Sequence, residues 1–502
     1  MMKSKYLHNK YNGDKMSINF IFGGNEKVIM KSSDLLSEKK KVMKKLLDKL
    51  LETYSYASIL GVDESGKAYV VSGNQISIDE DGFSTDMGYV VKVFDGESYC
   101  EYATNELNES NVGKIIEDIR CNLVPIKDGL QIMKYKEMED EEASFCKGTS
   151  FKENPEDVND GSIIDALRNL REKAVKADER LLDVRAIYRY KASHKVFLSK
   201  NKDMEQNILW SDCIMAGLAP KGEELKMAFI PGGGLCGVEC IKDMEEKIPK
   251  LQETIDLLLK SEPMIPGEYD CICTPDVTGL IVHEAFGHGV EMDMFVKDRA
   301  LAKQYVGDYV ASELVTMHDG ACCEQSMHMP ATYFFDDDGG LAKDTIIIDK
   351  GVLKGGICDS LAAMTLGVQN TGNGRREAVN HKSYTRMTNT FFEPGNDKVE
   401  DMIKSIDYGF LVRNAEGGME DPKNWGIQCM ASLALEIKDG KLTGKSFSPV
   451  TMTGYVPDLL KSISMVSDEF DMSGCGMCGK GHKEWVKVSD GGPYIKAKVR
   501  LG

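Results

Sequence analysis

Two histidines and a glutamate lie in one short apolar stretch of the chain. The stretch reads IVHEAFGHGVE, from Ile281 to Glu291, and it places His283 and His288 five residues apart with Glu284 directly after the first histidine. Because the chain has only eight histidines, such a pair is not expected from composition alone. Imidazole nitrogens bind zinc well, and a carboxylate beside the first ligand is placed to act as a general base. These residue types indicate a metal centre for hydrolysis.

The spacing of the two histidines requires a distorted helix. On a regular α-helix, residues five apart point about 140° away from each other, so the two imidazoles could not bind one ion. One extra residue in a turn, a π-bulge, brings residues i and i+5 onto nearly the same face. Gly287 directly precedes His288 and can accommodate that distortion. The alternative is an ordinary helix with one exposed and one buried histidine.

The residues alone leave the third protein ligand open. Glu291 and Asp293 are near in sequence, and fourteen cysteines offer thiolates. Cys271 and Cys273 alternate along a predicted strand and fit a buried face, so they are weak candidates. A cysteine, glutamate or aspartate would each complete a three-ligand zinc site with an open fourth position.

A late Cys-x-x-Cys pair, Cys475 and Cys478, suggests a second kind of chemistry, thiol redox. Thioredoxin-type pairs begin a helix that follows a strand. The residues after Cys478 favour strands and turns instead, and no second Cys-x-x-Cys lies at zinc-ribbon spacing. Redox function is therefore the weaker alternative.

The elements that must position these residues favour an α+β fold. The first half combines apolar helical patterns at 33–54, 112–119, 163–182 and 241–259 with short strand-like runs, among them 57–61 and 68–72. Gly, Asp and Asn separate the runs, which is typical of a mostly antiparallel sheet. After a Pro- and Gly-containing break at 261–267, a strand at 269–273 leads into the histidine stretch, and the remainder is rich in strands and glycine.

The pattern predicts more than one domain, because 502 residues exceed what a single core usually holds. Residues 1–20 are expected to form a disordered extension and 21–262 an N-terminal α+β domain. Residues 267–502 are expected to form a β-rich C-terminal domain that carries the metal-site helix.

Composition argues against several classes of partner. The net charge is -18 with a pI near 5.1, which disfavours binding to nucleic acids. No apolar run reaches the roughly 18 residues of a membrane span. The first twenty residues contain no apolar signal region, and scattered cysteines without such a signal fit reduced thiols. The sequence therefore predicts a cytoplasmic protein that binds neither nucleic acid nor membrane.

The second half of the chain resembles the TldD/PmbA family of metalloproteases, on its TldD-like, metal-binding side. The resemblance is close over nearly all of 266–502 and holds only in outline before that. The stretches that carry it follow one another in the expected order: HEAFGHGVEMD (283–293), YVASELVTMHDG (309–320), GVLKGGICDSLAA (351–363), TGNGRREA (371–378), RMTNTFFEPG (386–395), ISMVSDEFDM (463–472) and GMCGKG (476–481).

The resemblance implies a complete zinc site. Cys478 matches the cysteine of the family's G-x-C-G-K segment, which completes the site together with the two histidines. His283, His288 and Cys478 would then hold one zinc per subunit, with water in the fourth position and Glu284 as the base. A PmbA-like sister subunit lacks the histidine motif, so this chain is expected to be the catalytic type. Cys475 would be an extra thiol, either structural or a spare ligand.

The resemblance also implies the fold, the substrate and the partners. An N-terminal α+β domain is followed by a β-rich domain, and members work as dimers, of themselves or with a PmbA-like subunit. Extended or unfolded peptides are cut in an internal cavity, which makes the chain a metallopeptidase. The alternatives are a non-catalytic peptide-binding or scaffold subunit and, less favoured, the thiol-redox protein.

One segment departs from the family pattern. After GMCGKG the family usually continues with Gly-Gln and a proline-rich tail, whereas this chain has His482 two residues before Glu484. His482 is an alternate candidate ligand, and peptide specificity is expected to differ. Arg375, Arg376 and Arg386 are expected either to line the site and bind a peptide carboxylate or to form structural ion pairs, for example with Glu377.

Overall fold

A computed structural model describes residues 27–79, 86–123, 135–480 and 483–502. The extension predicted at 1–20 and the candidate ligand His482 lie outside the described residues. The described chain is a mixed α+β structure with mostly antiparallel sheets, so the predicted fold class is confirmed. Within those ranges, no helix is long and apolar enough to span a membrane.

The first half of the chain builds an eight-stranded sheet. All of its pairings are antiparallel except one, in which Ala143–Gly148 runs parallel to its neighbour. The strands are Tyr56–Val71, Ile76–Asp79, Asp86–Phe94, Tyr99–Thr104, Ala143–Gly148, Asp183–Ser199, Lys202–Lys221 and Glu224–Gly234. A two-residue strand, Val28–Ile29, pairs separately with Ser150–Phe151.

The prediction of two short strands at 57–61 and 68–72 was wrong. The structure has one continuous strand, Tyr56–Val71, which pairs with Asp183–Ser199 from Ser58 to Val71 without interruption. Gly61 and Gly66 locally disfavour a strand, but pairing with the neighbouring strand Asp183–Ser199 outweighs that preference.

Helices cover this sheet. They are Asp34–Leu51, Val112–Asn122, Asp160–Ala177, Cys240–Asp243 and Ile248–Lys260. The single helix predicted at 241–259 is divided by a 3₁₀ turn, Met244–Lys247, because Pro249 has no N–H for a continuous ladder and instead stands in the first turn of a new helix. Apolar side chains of the helices, such as Leu46, Leu167 and Leu251, are buried against the sheet.

The second half builds an eleven-stranded sheet. Its strands are Gly267–Cys273, Met317–Asp319, Thr345–Asp349, Val352–Leu353, Asn389–Phe392, Tyr408–Asp421, Gly426–Lys438, Lys441–Phe447, Val450–Tyr455, Met465–Ser473 and Ser489–Leu501. Two small hairpins lie apart from it: Gly374–Arg375 with Tyr384–Thr385, and Met477–Lys480 with Lys483–Lys487. Short helices are Pro275–Leu280, Met292–Val296, Ser360–Leu366, Val399–Lys404 and Val456–Lys461.

Strand pairing in this half closes on itself and anchors the segment that carries the histidines. Gly267–Cys273 pairs in parallel with Tyr408–Asp421 and antiparallel with Ser489–Leu501, and the circuit continues through Gly426–Lys438 and Val450–Tyr455. The chain leaves Cys273 and enters a helix directly at Pro275. The division into domains at 262 and 267 stays a prediction.

Candidate metal centre

The histidine segment is a wide helical turn rather than a regular helix. An α-helix, Pro275–Leu280, passes into a π-helix, Ile281–Gly287, and then into a 3₁₀ turn, His288–Val290. The predicted π-bulge is therefore confirmed. The wide turn brings the imidazoles of His283 and His288 onto one side, with ring centroids 5.2 Å apart and ring planes at 86°.

Buried neighbours hold this turn in place. Ile281, Ala285 and Phe286 are fully buried in the main core of the second half, where the Phe286 ring lies 6.0 Å from that of Trp425. Gly287 packs so closely that a Cβ atom there would lie 2.2 Å from Met387 Sδ. The sequence predicted the glycine for its flexibility, whereas the structure shows that close packing also requires it.

A hairpin brings a cysteine to the two histidines. Cys478 lies on the strand Met477–Lys480, and its Sγ atom is 3.2 Å from His283 Nε2 and 3.4 Å from His288 Nε2. The ligand atoms of the three residues all lie within 4.8 Å of one another. Two imidazoles and a thiolate form a donor set that suits zinc. Their assignment as zinc ligands stays a prediction.

The three side chains shift one another's pKa values. Burial raises the pKa of the Cys478 thiol, but the neighbouring imidazoles of His283 and His288 outweigh burial, and its pKa lies well below the usual value. Burial lowers the pKa of both histidines, yet the Cys478 thiolate raises each above its ordinary value. A thiolate held ready between two imidazoles fits a cation, because only the thiolate is a metal ligand.

Glu284 lies at the edge of this cluster. Its Oε2 atom is 3.8 Å from His288 Nε2, and its side chain is 15% exposed, so it remains partly accessible to solvent. Burial raises the pKa of Glu284, and the nearby imidazoles oppose that shift. A raised carboxyl pKa suits a group that accepts a proton and later returns it.

A buried carboxylate supports the second histidine. Glu291 Oε2 lies 3.4 Å from His288 Nδ1 and 3.1 Å from Lys480 Nζ. Burial raises the pKa of Glu291, but Lys480, His288 and Arg386 outweigh it, so the pKa lies well below the usual range. A carboxylate on the far nitrogen of a metal-binding imidazole orients the ring and increases its basicity.

A fully buried arginine joins the two elements of the site. Arg386 Nη2 donates to the Cys478 carbonyl oxygen at 2.7 Å, Nη1 donates to the Glu484 carbonyl oxygen, and Nε lies 3.5 Å from Glu291 Oε1. Arg386 thus links the hairpin that carries Cys478 to the carboxylate that contacts His288. Of the two predicted roles for Arg386, the geometry favours a structural one over binding a peptide carboxylate.

Comparison with known proteins decides the family. Residues 266–500 match the family model of the PmbA/TldA metallopeptidase C-terminal domain. The chain is 28% identical over 466 residues to a metalloprotease of Methanocaldococcus jannaschii, an alignment that covers 90% of this chain and 97% of the relative. Over residues 266–500 the chain belongs to the TldD/PmbA family.

Other TldD/PmbA proteins extend the comparison. A zinc metalloprotease TldD homolog of Saccharolobus solfataricus is 24% identical over 445 residues, covering 85% of this chain and 93% of the relative. A metalloprotease TldD homolog of Buchnera aphidicola is 34% identical over 241 residues, covering 48% of this chain and 49% of the relative. TldE from Thermococcus kodakarensis, a solved structure, is 18% identical with a TM-score of 0.69, covering 92% of this chain and all of that one, and shows the fold alone.

The other ligand candidates within the TldD/PmbA signature have different partners. Glu291 contacts His288 through the outer ring nitrogen, and Asp293 Oδ1 accepts a hydrogen bond from Lys480 Nζ at 2.7 Å. Glu291 follows His288 by three residues in the sequence, and this spacing could have identified Glu291 as the residue that orients the His288 ring. The sequence around Arg386 gave no signal that identified its hydrogen-bond partners, because Cys478 follows it by 92 residues.

Cys475 does not join the cluster. Its Sγ atom lies 3.2 Å from the Gly232 carbonyl oxygen, which belongs to the sheet of the first half, and burial raises the pKa of its thiol to about 12. Cys478 faces the histidines instead, and all fourteen cysteines are free. The two thiols have separate partners, and neither stands at a helix start: Cys478 lies on the hairpin and Cys475 in the irregular segment before it. The geometry therefore does not favour dithiol chemistry.

A second group of metal-ligating side chains lies near the first. Ligand atoms of Glu377, His381 and Glu484 fall within 4.8 Å of one another. His381 Nδ1 is 3.2 Å from Glu484 Oε2 and 3.4 Å from Glu377 Oε2, which also accepts the Glu484 N–H at 2.8 Å. Arg376 pairs with Glu101 at 3.4 Å and donates to the His381 carbonyl oxygen, not to Glu377. Hydrogen bonds among its own members account for this group.

Proposed function

We propose that the chain is a zinc-dependent metallopeptidase that hydrolyses extended or unfolded peptides. The observation that carries the proposal is the convergence of His283, His288 and Cys478 beside Glu284. Two imidazoles and one thiolate leave room for substrate at a four-coordinate ion, as catalytic zinc sites require. The names of the relatives, metalloprotease and zinc metalloprotease, support the same activity.

The chain's own residues have distinct roles in this proposal. When bound, zinc supplies a Lewis acid that polarises the peptide carbonyl and makes a nearby water more acidic. Glu284 accepts the proton of the attacking water and passes it to the leaving amine. Glu291 holds the His288 ring in orientation, and Arg386 holds the Cys478 backbone.

A strand edge beside Glu284 supports peptide recognition through the backbone. Tyr408–Asp421 pairs with Gly267–Cys273 only as far as Val412, and beyond that point its strand partner among the described residues is Gly426–Lys438 on the other side. At Gly418 this strand passes so close that a Cβ atom would lie 3.0 Å from Glu284 Cγ. An extended peptide that adds to such an edge is read mainly by its backbone, so we propose unfolded segments as substrates.

We further propose a cytoplasmic enzyme that works as a dimer, either of itself or with a PmbA-like subunit. The fold likeness to TldE supports a partner of matching shape. The acidic charge of the chain supports a peptide rather than a nucleic acid as substrate.

Replacing the base tests the proposed activity. Glu284→Gln should retain one zinc per chain and lose peptide cleavage by about 100-fold or more, since general base catalysis contributes roughly 10²–10⁴-fold. The measurement is cleavage of an unstructured peptide, with zinc content determined on the same reduced sample. Cleavage by the Gln variant at the parent rate would show that Glu284 is not the base.

A negative result needs a control for the partner. The parent chain should be assayed alone and mixed with a PmbA-like subunit. Absence of cleavage in both assays, with zinc bound, would favour a non-catalytic peptide-binding or scaffold subunit instead.

A further inference from the structure

A cavity of about 330 Å³ lies behind the hairpin that carries Cys478. The sheet of the first half lines it through Lys195 and Trp210, and the second half lines it through Arg375 and Met477. Met477 faces the cavity, whereas the Sγ atom of the adjacent Cys478 contacts the histidines. His283, His288 and Cys478 do not line the cavity, so it is separate from the candidate zinc centre. Glu377 and His381 of the second group do line it.

Arg375 contributes a guanidinium with few protein hydrogen bonds to the lining of this cavity. Its Nη1 atom donates to the Met387 carbonyl oxygen at 2.6 Å, and its guanidinium carbon lies 5.4 Å from the centre of the Tyr333 ring. No described carboxylate forms an ion pair with it. Because a guanidinium has five N–H donors, most of them remain available to a ligand.

The acidic residues around Arg375 are already engaged. Asp337 Oδ1 accepts from Lys195 Nζ at 2.6 Å, and its Oδ2 accepts the Arg376 N–H at 2.9 Å. Asp336 accepts backbone N–H groups of Gly340 and Gly374, each at 2.7 Å. None of these carboxylates forms an ion pair with Arg375, so its remaining N–H donors are free to bind an anionic ligand.

The other cations of the cavity differ from Arg375, because each has a carboxylate partner. Lys191 Nζ lies 2.5 Å from Glu64 Oε2, and Lys487 Nζ lies 2.6 Å from Asp212 Oδ2. Among the carboxylates, Asp86 accepts only the Val379 N–H, at 2.7 Å, in the described part of the chain. Among the described lining residues, the cavity thus offers a guanidinium without a carboxylate partner, on Arg375, and a carboxyl group that accepts a single backbone N–H, on Asp86.

From this arrangement we infer that the cavity binds the C-terminal end of a short peptide, with its α-carboxylate on Arg375. The planar guanidinium fork matches a carboxylate in a bidentate geometry. Trp210 and Ile208 provide apolar wall for a side chain, and Asp86 accepts from a peptide N–H or ammonium group. The volume lies at the small end of the roughly 300–1,000 Å³ range of ligand pockets, which suits a few residues.

The inference rests on the proposed function, because peptide hydrolysis generates new C-terminal carboxylates. Its test is kept independent by measuring binding without cleavage, on the full chain carrying His283→Ala. The probes are tri-alanine, the C-terminal amide of tri-alanine, and acetate. Isothermal titration calorimetry gives the Kd of each.

The expected result is a preference for the free acid. Tri-alanine should bind about tenfold or more tightly than its amide, since a charge-assisted hydrogen-bonded pair contributes a factor of about that size. Arg375→Gln, added to the same background, should remove this preference, and Arg375→Lys should keep part of it. Arg500→Gln, at an exposed arginine outside the cavity, is the matched control and should change nothing.

Several outcomes would overturn the inference. Equal affinity for acid and amide in the His283→Ala chain would do so without any variant of Arg375. Undiminished binding of the acid to a folded Arg375→Gln chain would remove the arginine from the site. Acetate that binds as tightly as tri-alanine would exclude a peptide-specific site. None of these results affects cleavage by the parent chain, so failure here is distinguishable from failure of the proposed peptidase activity.

Discussion

At the scale of single residues, the candidate centre includes side chains that are not candidate ligands but contact the residues that are. Arg386 donates to the backbone of Cys478 and lies beside Glu291, which in turn contacts His288. The arginine is fully buried, so water cannot replace its hydrogen bonds when it is lost. Its two N–H contacts to carbonyl oxygens use the fixed fork of a guanidinium, which a lysine cannot reproduce.

Arg386→Lys should therefore weaken zinc binding although every candidate ligand remains. Loss of such outer supports typically reduces metal affinity by about 10–100-fold. Competition with a chromophoric chelator measures the zinc affinity, and Arg500→Lys, at an exposed arginine, provides the matched control. If Arg386→Lys binds zinc as tightly as the control, the arginine does not organise the site.

The sequence predicts some residues of the candidate centre directly and others not at all. The types and spacing of His283, Glu284 and His288 are local, so they pointed to a metal centre without any structure. Cys478 lies 190 residues beyond His288, and only the family resemblance singled it out. The sequence does not decide between two roles for Arg386, because the partners of a buried arginine depend on tertiary packing that no local pattern contains.

At the scale of elements, a π-helical turn makes the unusual histidine spacing productive. The sequence predicted the bulge because five-residue spacing fails on a regular helix. It could not predict how closely the turn packs on Met387, which belongs to a different segment. The same limitation explains the merged strand Tyr56–Val71, whose continuity depends on a distant neighbour.

Gly287→Ala tests this packing. The new Cβ atom would lie 2.2 Å from Met387 Sδ and 3.2 Å from the Val282 carbonyl oxygen. Overpacking of this kind typically costs about 1–3 kcal/mol, and the shifted turn should also weaken zinc binding. Urea unfolding measures the loss. Gly113→Ala, on a helix with open space around the position, should be neutral or slightly stabilising. Equal stability of the two variants would contradict the close-packing argument.

At the scale of the whole molecule, the fold joins distant parts of the chain at one point. A circuit of strands anchors the histidine turn, and a separate hairpin supplies the cysteine. An ion held by both would cross-link the native state but not the unfolded chain, so it should stabilise the protein by mass action.

Zinc should thus raise the thermal unfolding temperature of the metal-free protein. At free zinc about one hundred times the Kd, linkage predicts about 2.7 kcal/mol of added stability. Cys478→Ser should gain much less at the same zinc concentration, while Cys475→Ser, at the neighbouring thiol, should gain as much as the parent chain. Equal gains for Cys478→Ser and the parent would show that the late cysteine does not bind the ion.

X-ray absorption at the zinc edge of the reduced, zinc-loaded protein tests the central claim most directly. The predicted spectrum contains one sulfur at about 2.3 Å and two imidazole nitrogens at about 2.0 Å from each zinc. Cys478→Ser should lose the sulfur shell, and Cys475→Ser should retain it. A parent spectrum without sulfur, or one that keeps its sulfur shell in Cys478→Ser, would contradict a centre built from His283, His288 and Cys478.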